Sequence, residues 1–295
     1  MSFDLATYLD ARAQEINLWL QEALPEAVPG SQHLIDAMSY SLLLGGKRLR
    51  PILALAAANA CGQANAASRA AAVAVEAIHA YSLIHDDLPA MDNDSLRRGQ
   101  PTCHIAYGEA TAILAGDALQ TLAFNQLVRA DAPASVRLAL VEQLSQASGA
   151  EGLVAGQVLD MAATDHTINL DALQRMHRHK TGALIEAAVL MGALSVDERE
   201  PARLAALGRY ARALGLAFQV QDDILDVTGD TATLGKQQGA DAQLNKSTYV
   251  SLLGLAAARQ HAAALVEDAL NSIAAFDTRA DPLRALARYI IARGF

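Results

Sequence analysis

The chain has 295 residues, 31.1 kDa, of which 52% are hydrophobic, 4% aromatic and 19% charged, with a formal net charge of −9. That balance argues against a protein that coats nucleic acid, and no apolar run reaches the roughly 18 residues of a membrane span. Cys61 and Cys103 have no paired spacing, which argues against a thiolate zinc site and fits a reduced, cytoplasmic compartment.

Alanine and leucine dominate, and alternating β-branched runs with hairpin turns are scarce, so an all-α fold is expected. Ser135–Ala147, Leu173–Val196 and Glu200–Val227 carry apolar residues at three- and four-residue spacing. Breaks fall at Pro25–Gly30, Gly62–Ala64, Pro89–Gln100 and Gly229–Gln243. No repeat or composition shift marks a boundary, so residues 1–295 read as one helical domain. Met1–Asp4 shows no basic stretch leading into an apolar one, and no signal peptide is expected.

The first polar element is Gly45-Gly46-Lys47-Arg48-Leu49-Arg50-Pro51, in which two glycines free the backbone and Pro51 fits a first helical turn. Lys47 and Arg50 could converge on an anion, or the segment is a solvated basic patch. It lacks the Gly-Lys-Ser/Thr pattern of a nucleotide-binding loop. An apolar helical stretch from Ala71 to Ile84, broken by Glu76 and His79, then leads to Asp86-Asp87-Leu-Pro-Ala-Met-Asp92-Asn-Asp94. Asp86 and Asp92, six residues apart, would not share a helical face. Pro89 makes a regular helix unfavourable there, and a broken helix could return Asp92 to Asp86. His79 and Ser82 lie on the Asp86 face, where His79 is either a core histidine or a phosphate contact. Arg97 and Arg98 follow, either as neutralising partners or as a bidentate grip on an anionic ligand.

Lys180-Thr181 sits within helical sequence, and Gln219 precedes Asp223 by one turn. Asp222 and Asp226 share a helical face with Asp223 beside them, an arrangement of like charges that weakens a helix by a few tenths of a kcal/mol, roughly. An exposed acidic face is the alternative to a metal site, but Phe218, Val220, Ile224, Leu225 and Val227 surround these carboxylates and point to burial. Crowded carboxylates beside a core call for a cation, and an oxygen-only set suits Mg²⁺. A metal there would also reverse the sign of the field that an acidic chain presents to anionic substrates. Gly235-Lys236 and Asn245-Lys246 lie beyond this cluster.

Together GGKRLRP, HDDLPAMDNDSLRRG, GQVLD, KTG, FQVQDDILD and LGK, spread from about Gly45 to Lys246, resemble the short-chain trans-prenyltransferases. The resemblance implies an isoprenoid-synthase-type helical bundle around a central cavity, a homodimer, and three Mg²⁺ ions per site, with Mn²⁺ as a substitute. It implies head-to-tail condensation of isopentenyl diphosphate with an allylic diphosphate, dimethylallyl or geranyl. Asp86, Asp92 and Asp222 then correspond to the principal metal ligands, with Asp87, Asp223 and Asp226 completing the motifs. Arg97, Lys180 and Lys236 correspond to allylic diphosphate contacts. Gly46, Lys47, Arg50, His79 and Arg98 correspond to the isopentenyl diphosphate site, and Thr181 and Gln219 to oxygens near the developing carbocation. Asp94-Ser95 stands where the family often has a further aspartate.

Tyr81, five residues before Asp86, resembles the aromatic pocket floor of the family's bacterial C15-forming members, with Ser82 beside it as a second chain-length position, so farnesyl diphosphate is the expected product, with C10 or C20 next. The helical wheel puts Tyr81 off the Asp86 face, so ordinary packing is its other reading. A terpene cyclase and a noncatalytic prenyltransferase subunit are the rival classes. The first usually has a different second metal motif, and the second predicts lost aspartates or basic residues.

Overall fold

Asp4 opens the first helix, α1 (Leu5–Ala23), by accepting the Thr7 amide, a side-chain cap for an otherwise unpaired donor. α2 (Gln32–Leu43) and α3 (Leu49–Cys61) follow, and α4 (Ala66–Asp86) begins with a capping box between Asn65 and Ser68. The computed structural model describes residues 3–229 and 247–292. Beyond α4 comes a short antiparallel pair, β1 (Leu96–Arg97) and β2 (Gln100–Pro101), with Leu96 opposite Pro101. Its turn residues, Arg98 and Gly99, have φ of 52° and 74°, the two left-handed conformations of a tight hairpin turn.

The chain continues through α5 (Cys103–Tyr107), α6 (Glu109–Val128), α7 (Ala134–Ser148), α8 (Leu153–Ala163) and α9 (Leu170–His177). A π-helical turn, Arg178–Gly182, joins α9 to α10 (Ala183–Ser195). α11 (Pro201–Thr228) starts with proline in its first turn, where a missing amide costs nothing. α12 (Tyr249–Leu253), α13 (Leu255–Ser272) and α14 (Asp281–Ala292) complete the described chain.

The stretches Ser135–Ala147 and Glu200–Val227 match α7 and α11 to within one residue at each end. Leu173–Val196 is helical as expected but carries the π turn. α3 is buried on nearly every side from Pro51 to Ala60, as an all-round apolar helix must be, and its alanines let α10 and α4 lie against it. α4 also packs on α6, and α11 packs on α10 and α13. The two helices that carry the aspartate clusters are therefore both packed against several others in the core.

Candidate active site

The turn after α4 folds back on itself. The Asp92 amide donates to the Asp86 carbonyl at 2.9 Å, and the Met91 and Asn93 amides both donate to the Leu88 carbonyl. Asn93 takes φ 53°, a left-handed conformation that asparagine tolerates better than most residues. Asp92 thus returns to Asp86 across Pro89. Burial pushes the Asp86 carboxyl up to about 6, with Lys180 opposing and Asp92 reinforcing the shift. A buried carboxyl with a second carboxylate turned back beside it fits a hard divalent cation. Among the described residues no three acidic, histidine or cysteine side chains enclose an ion, so ligand oxygens and water would complete its shell.

Asp87 faces away from that pair. It is 2% exposed, and both of its oxygens accept from Arg97, at 2.5 to 3.0 Å from Nε and Nη2. Such a bidentate pair is among the stronger side-chain contacts, so Arg97 is anchored on Asp87 and leaves Nη1 outside the fork. Burial opposes the Arg97 charge, but Asp87, Asp94 and Asp86 outweigh it and raise its pKa. Asp94 and Ser95 are held by their backbones: Thr102 donates its hydroxyl to the Asp94 carbonyl at 2.7 Å and its amide to the Ser95 carbonyl at 3.0 Å. The Ser95 side chain takes no part in closing the hairpin.

α11 presents its neighbouring aspartates to two different cavities. Asp222 lines a cavity of about 630 Å³ together with Phe218, Gly46, Lys47, Arg50, His79 and Arg98. Asp223 and Gln219 line one of about 180 Å³ together with Asp160, Lys180 and Thr181. Asp223 is 6% exposed and accepts the Tyr249 amide at 2.7 Å, placing a carboxylate at the N-terminus of α12. Asp226 lines neither cavity. The acidic cluster that reads as one group in sequence is thus divided in space.

In the smaller cavity the π turn displaces Lys180 and Thr181 from regular helical positions. Gly156 of α8 lies so close that a Cβ there would come within 2.0 Å of the Lys180 amide nitrogen. The Lys180 ammonium pairs with Asp160 at 2.5 Å. Burial disfavours the Lys180 charge, but Asp160 and Asp86 more than offset it, so its pKa is raised and it remains a cation.

In the larger cavity the basic residues converge as the sequence suggests. The Lys47 ammonium lies 5.8 Å from the centre of the Tyr289 ring, on α14. Burial, and then the Arg50 and Arg98 charges, hold the His79 imidazole well below its usual range, so it enters the cavity neutral at pH 7. Burial also lowers Arg50 and Arg98 from their ordinary values.

Tyr81 and Ser82 line neither cavity. Tyr81 is buried on the α6 side of α4, edge-on to His85 at 5.6 Å and beside Gln120, and Ser82 donates to the His79 carbonyl at 2.9 Å on its own helix. Lys236 lies outside the described residues. The motifs left Asp160 without a role, although it closes GQVLD, and passed over the pairing of Arg48 with Glu76, whose signal was the Glu76 charge inside an apolar helical stretch.

A polyprenyl synthetase family model matches residues 31–283. The farnesyl diphosphate synthase of Escherichia coli (strain K12) is 53% identical over 298 residues, covering 98% of this chain and 99% of that one. The farnesyl diphosphate synthase of Haemophilus influenzae is 50% identical over 282 residues, covering 94% and 95% respectively. Among solved structures, the geranylgeranyl pyrophosphate synthetase from Pyrococcus horikoshii superposes with a TM-score of 0.89 at 30% identity, over 98% of each chain. The cavity-lining motifs, the helical fold and a match of this extent place the chain in the polyprenyl synthetase family.

Proposed function

We propose that this trans-prenyltransferase condenses isopentenyl diphosphate with dimethylallyl and then geranyl diphosphate, releasing diphosphate and giving farnesyl diphosphate. The observation that carries the reading is the arrangement around α11: two cavities, each lined by its own cations, with neighbouring aspartates of that one helix lining one cavity each. A reaction that joins two diphosphate esters needs two anion sites this close together.

The smaller cavity suits the allylic substrate. Lys180 stands where the leaving diphosphate gathers charge as the carbon–oxygen bond breaks, and the family resemblance assigns Arg97, Lys236 and the aspartates Asp86, Asp92 and Asp222 to the same diphosphate and its metal. Asp87 and Asp223 serve from behind, holding Arg97 and the start of α12. A divalent cation, Mg²⁺ at three per site with Mn²⁺ as a substitute, supplies Lewis-acid neutralisation of that diphosphate when bound. Thr181 and Gln219 turn oxygens toward the electron-poor allylic carbon. Isopentenyl diphosphate is held by Lys47, Arg50, His79 and Arg98, so its double bond attacks that carbon before water does. The new carbon–carbon bond leaves a cation that loses a proton to the departed diphosphate, and no side chain is needed as base. Ile105, Ile113 and Leu114, exposed around the start of α6, support a homodimer. Among the described residues no helix is long and apolar enough to cross a membrane.

The test is direct. Purified protein is incubated with Mg²⁺, isopentenyl diphosphate and dimethylallyl diphosphate, and the dephosphorylated alcohols are separated by chromatography. Farnesol is expected as the main alcohol, and no condensation with or without metal would overturn the assignment.

A further inference from the structure

Arg48 is among the residues lining the larger cavity, as are Lys47 and Arg50, but its side chain is only 2% exposed and is paired with Glu76. Its backbone has φ 49° and ψ 35°, the left-handed region that residues with a Cβ disfavour. Such a conformation persists only where its surroundings over-determine it. Here they do. Nε donates to Asn17 of α1 at 2.8 Å, Nη1 to Glu76 of α4 at 2.8 Å, and Nη2 to the Leu42 carbonyl of α2 at 3.0 Å. Glu76, one turn before His79, has a side chain only 5% exposed.

The other side of the same loop is also held. Arg98 donates to the Gly45 carbonyl, and its guanidinium lies so near that a Cβ on Gly46 would meet it at 2.6 Å. With Arg98 on one side and Arg48 on the other, the four residues from Gly45 to Arg48 have little freedom. The left-handed step at Arg48 sends that side chain into the core and leaves Lys47 before it and Arg50 after it on the cavity. Glu76 cancels the Arg48 charge at close range and is also the first carboxylate supporting the Arg50 charge against burial. Arg48 and Glu76 also line the cavity, but each of the three Arg48 side-chain nitrogens donates to protein and the pair carries no net charge, so it acts on a bound anion through the loop.

We propose that the buried Arg48–Glu76 pair is a positioning device for the anion site of the larger cavity: it locks the left-handed turn that aims Lys47 and Arg50 at the bound diphosphate. The inference rests on the reading of that cavity as the isopentenyl diphosphate site. Removing one partner of a buried pair strands the other charge, so the loop relaxes instead of holding its turn.

Arg48→Lys, which keeps the charge but cannot reach all three acceptors, and Glu76→Gln, which keeps the shape but removes the charge, test it by steady-state kinetics. Both are expected to raise KM for isopentenyl diphosphate at least fivefold while KM for dimethylallyl diphosphate stays within twofold. A merely structural role would lower melting temperature and the active fraction and leave both KM values in place. That result in Arg48→Lys, with KM for isopentenyl diphosphate within twofold of the parent, overturns the proposal. If Glu76→Gln does not fold, Asn17→Ala removes a single anchor and must shift the same KM in the same direction. Absence of condensation by the parent enzyme would instead reject the reading of the cavity, a result distinct from turnover with an unchanged KM.

Discussion

The Asp92 amide returns to the Asp86 carbonyl at 2.9 Å, so the aspartates that begin and end the turn around Pro89 act on one another. Burial and this proximity raise Asp86 from 3.8 to about 6. A carboxyl raised in the folded state contributes stability below its unfolded pKa, and that contribution is lost as pH rises from about 4 through about 6. Cation binding should restore it. The gain in melting temperature on adding Mg²⁺ is therefore expected to be larger at pH 7.5 than at pH 5.5, and equal gains at both would contradict the argument. Asp86→Asn should raise the melting temperature of metal-free protein at pH 7.5, by about 1–2 kcal/mol in stability. The same change should lower kcat on the order of 10²–10³-fold.

Asp160 holds Lys180 beside the smaller cavity. Asp160→Asn removes the charge that keeps that ammonium extended, so kcat should fall about tenfold. KM for isopentenyl diphosphate, whose proposed contacts lie in the other cavity, should change less than twofold. Steady-state kinetics with both substrates varied would separate the two effects, and a change confined to isopentenyl diphosphate KM would count against the division of the cavities.

Gly156 touches the backbone of the π turn, and a backbone neighbour cannot swing aside as a side chain can. Gly156→Ala should cost about 3 kcal/mol from overpacking. Because the displaced atoms belong to Lys180, kcat should fall together with melting temperature. An alanine variant with parental kcat would show that the turn does not set the Lys180 position.

Tyr81 is buried on the α6 side of α4, beside His85 and Gln120. Tyr81→Ala should cost about 3 kcal/mol of stability as a large-to-small change in the core. It should also lengthen the product, with C20 alcohol appearing in the chromatogram. A product spectrum unchanged in a folded variant would leave Tyr81 as packing alone.

Chelation of divalent metal should abolish condensation, and adding back Mg²⁺ or Mn²⁺ should restore it. Full turnover in the presence of excess chelator would remove the basis for reading Asp86, Asp92 and Asp222 as ligands.

By itself the sequence determined the helical class, the extent of helices such as α11, and the existence of two acidic and two basic sets. Those properties depend on local spacing, composition and proline, all of which act within a turn or two of chain. It did not determine where each charge points. Asp222 and Asp223 are adjacent in sequence but face different cavities, because successive residues on a helix are about 100° apart. Asp87 meets Arg97 across a hairpin whose turn requires two left-handed residues. Arg48 leaves the basic segment for Glu76, 28 residues away, and Asp223 takes the Tyr249 amide, 26 residues away. Only the tertiary fold decides such pairs, since a buried charge is directed by the nearest partner in space rather than by its neighbours in the chain.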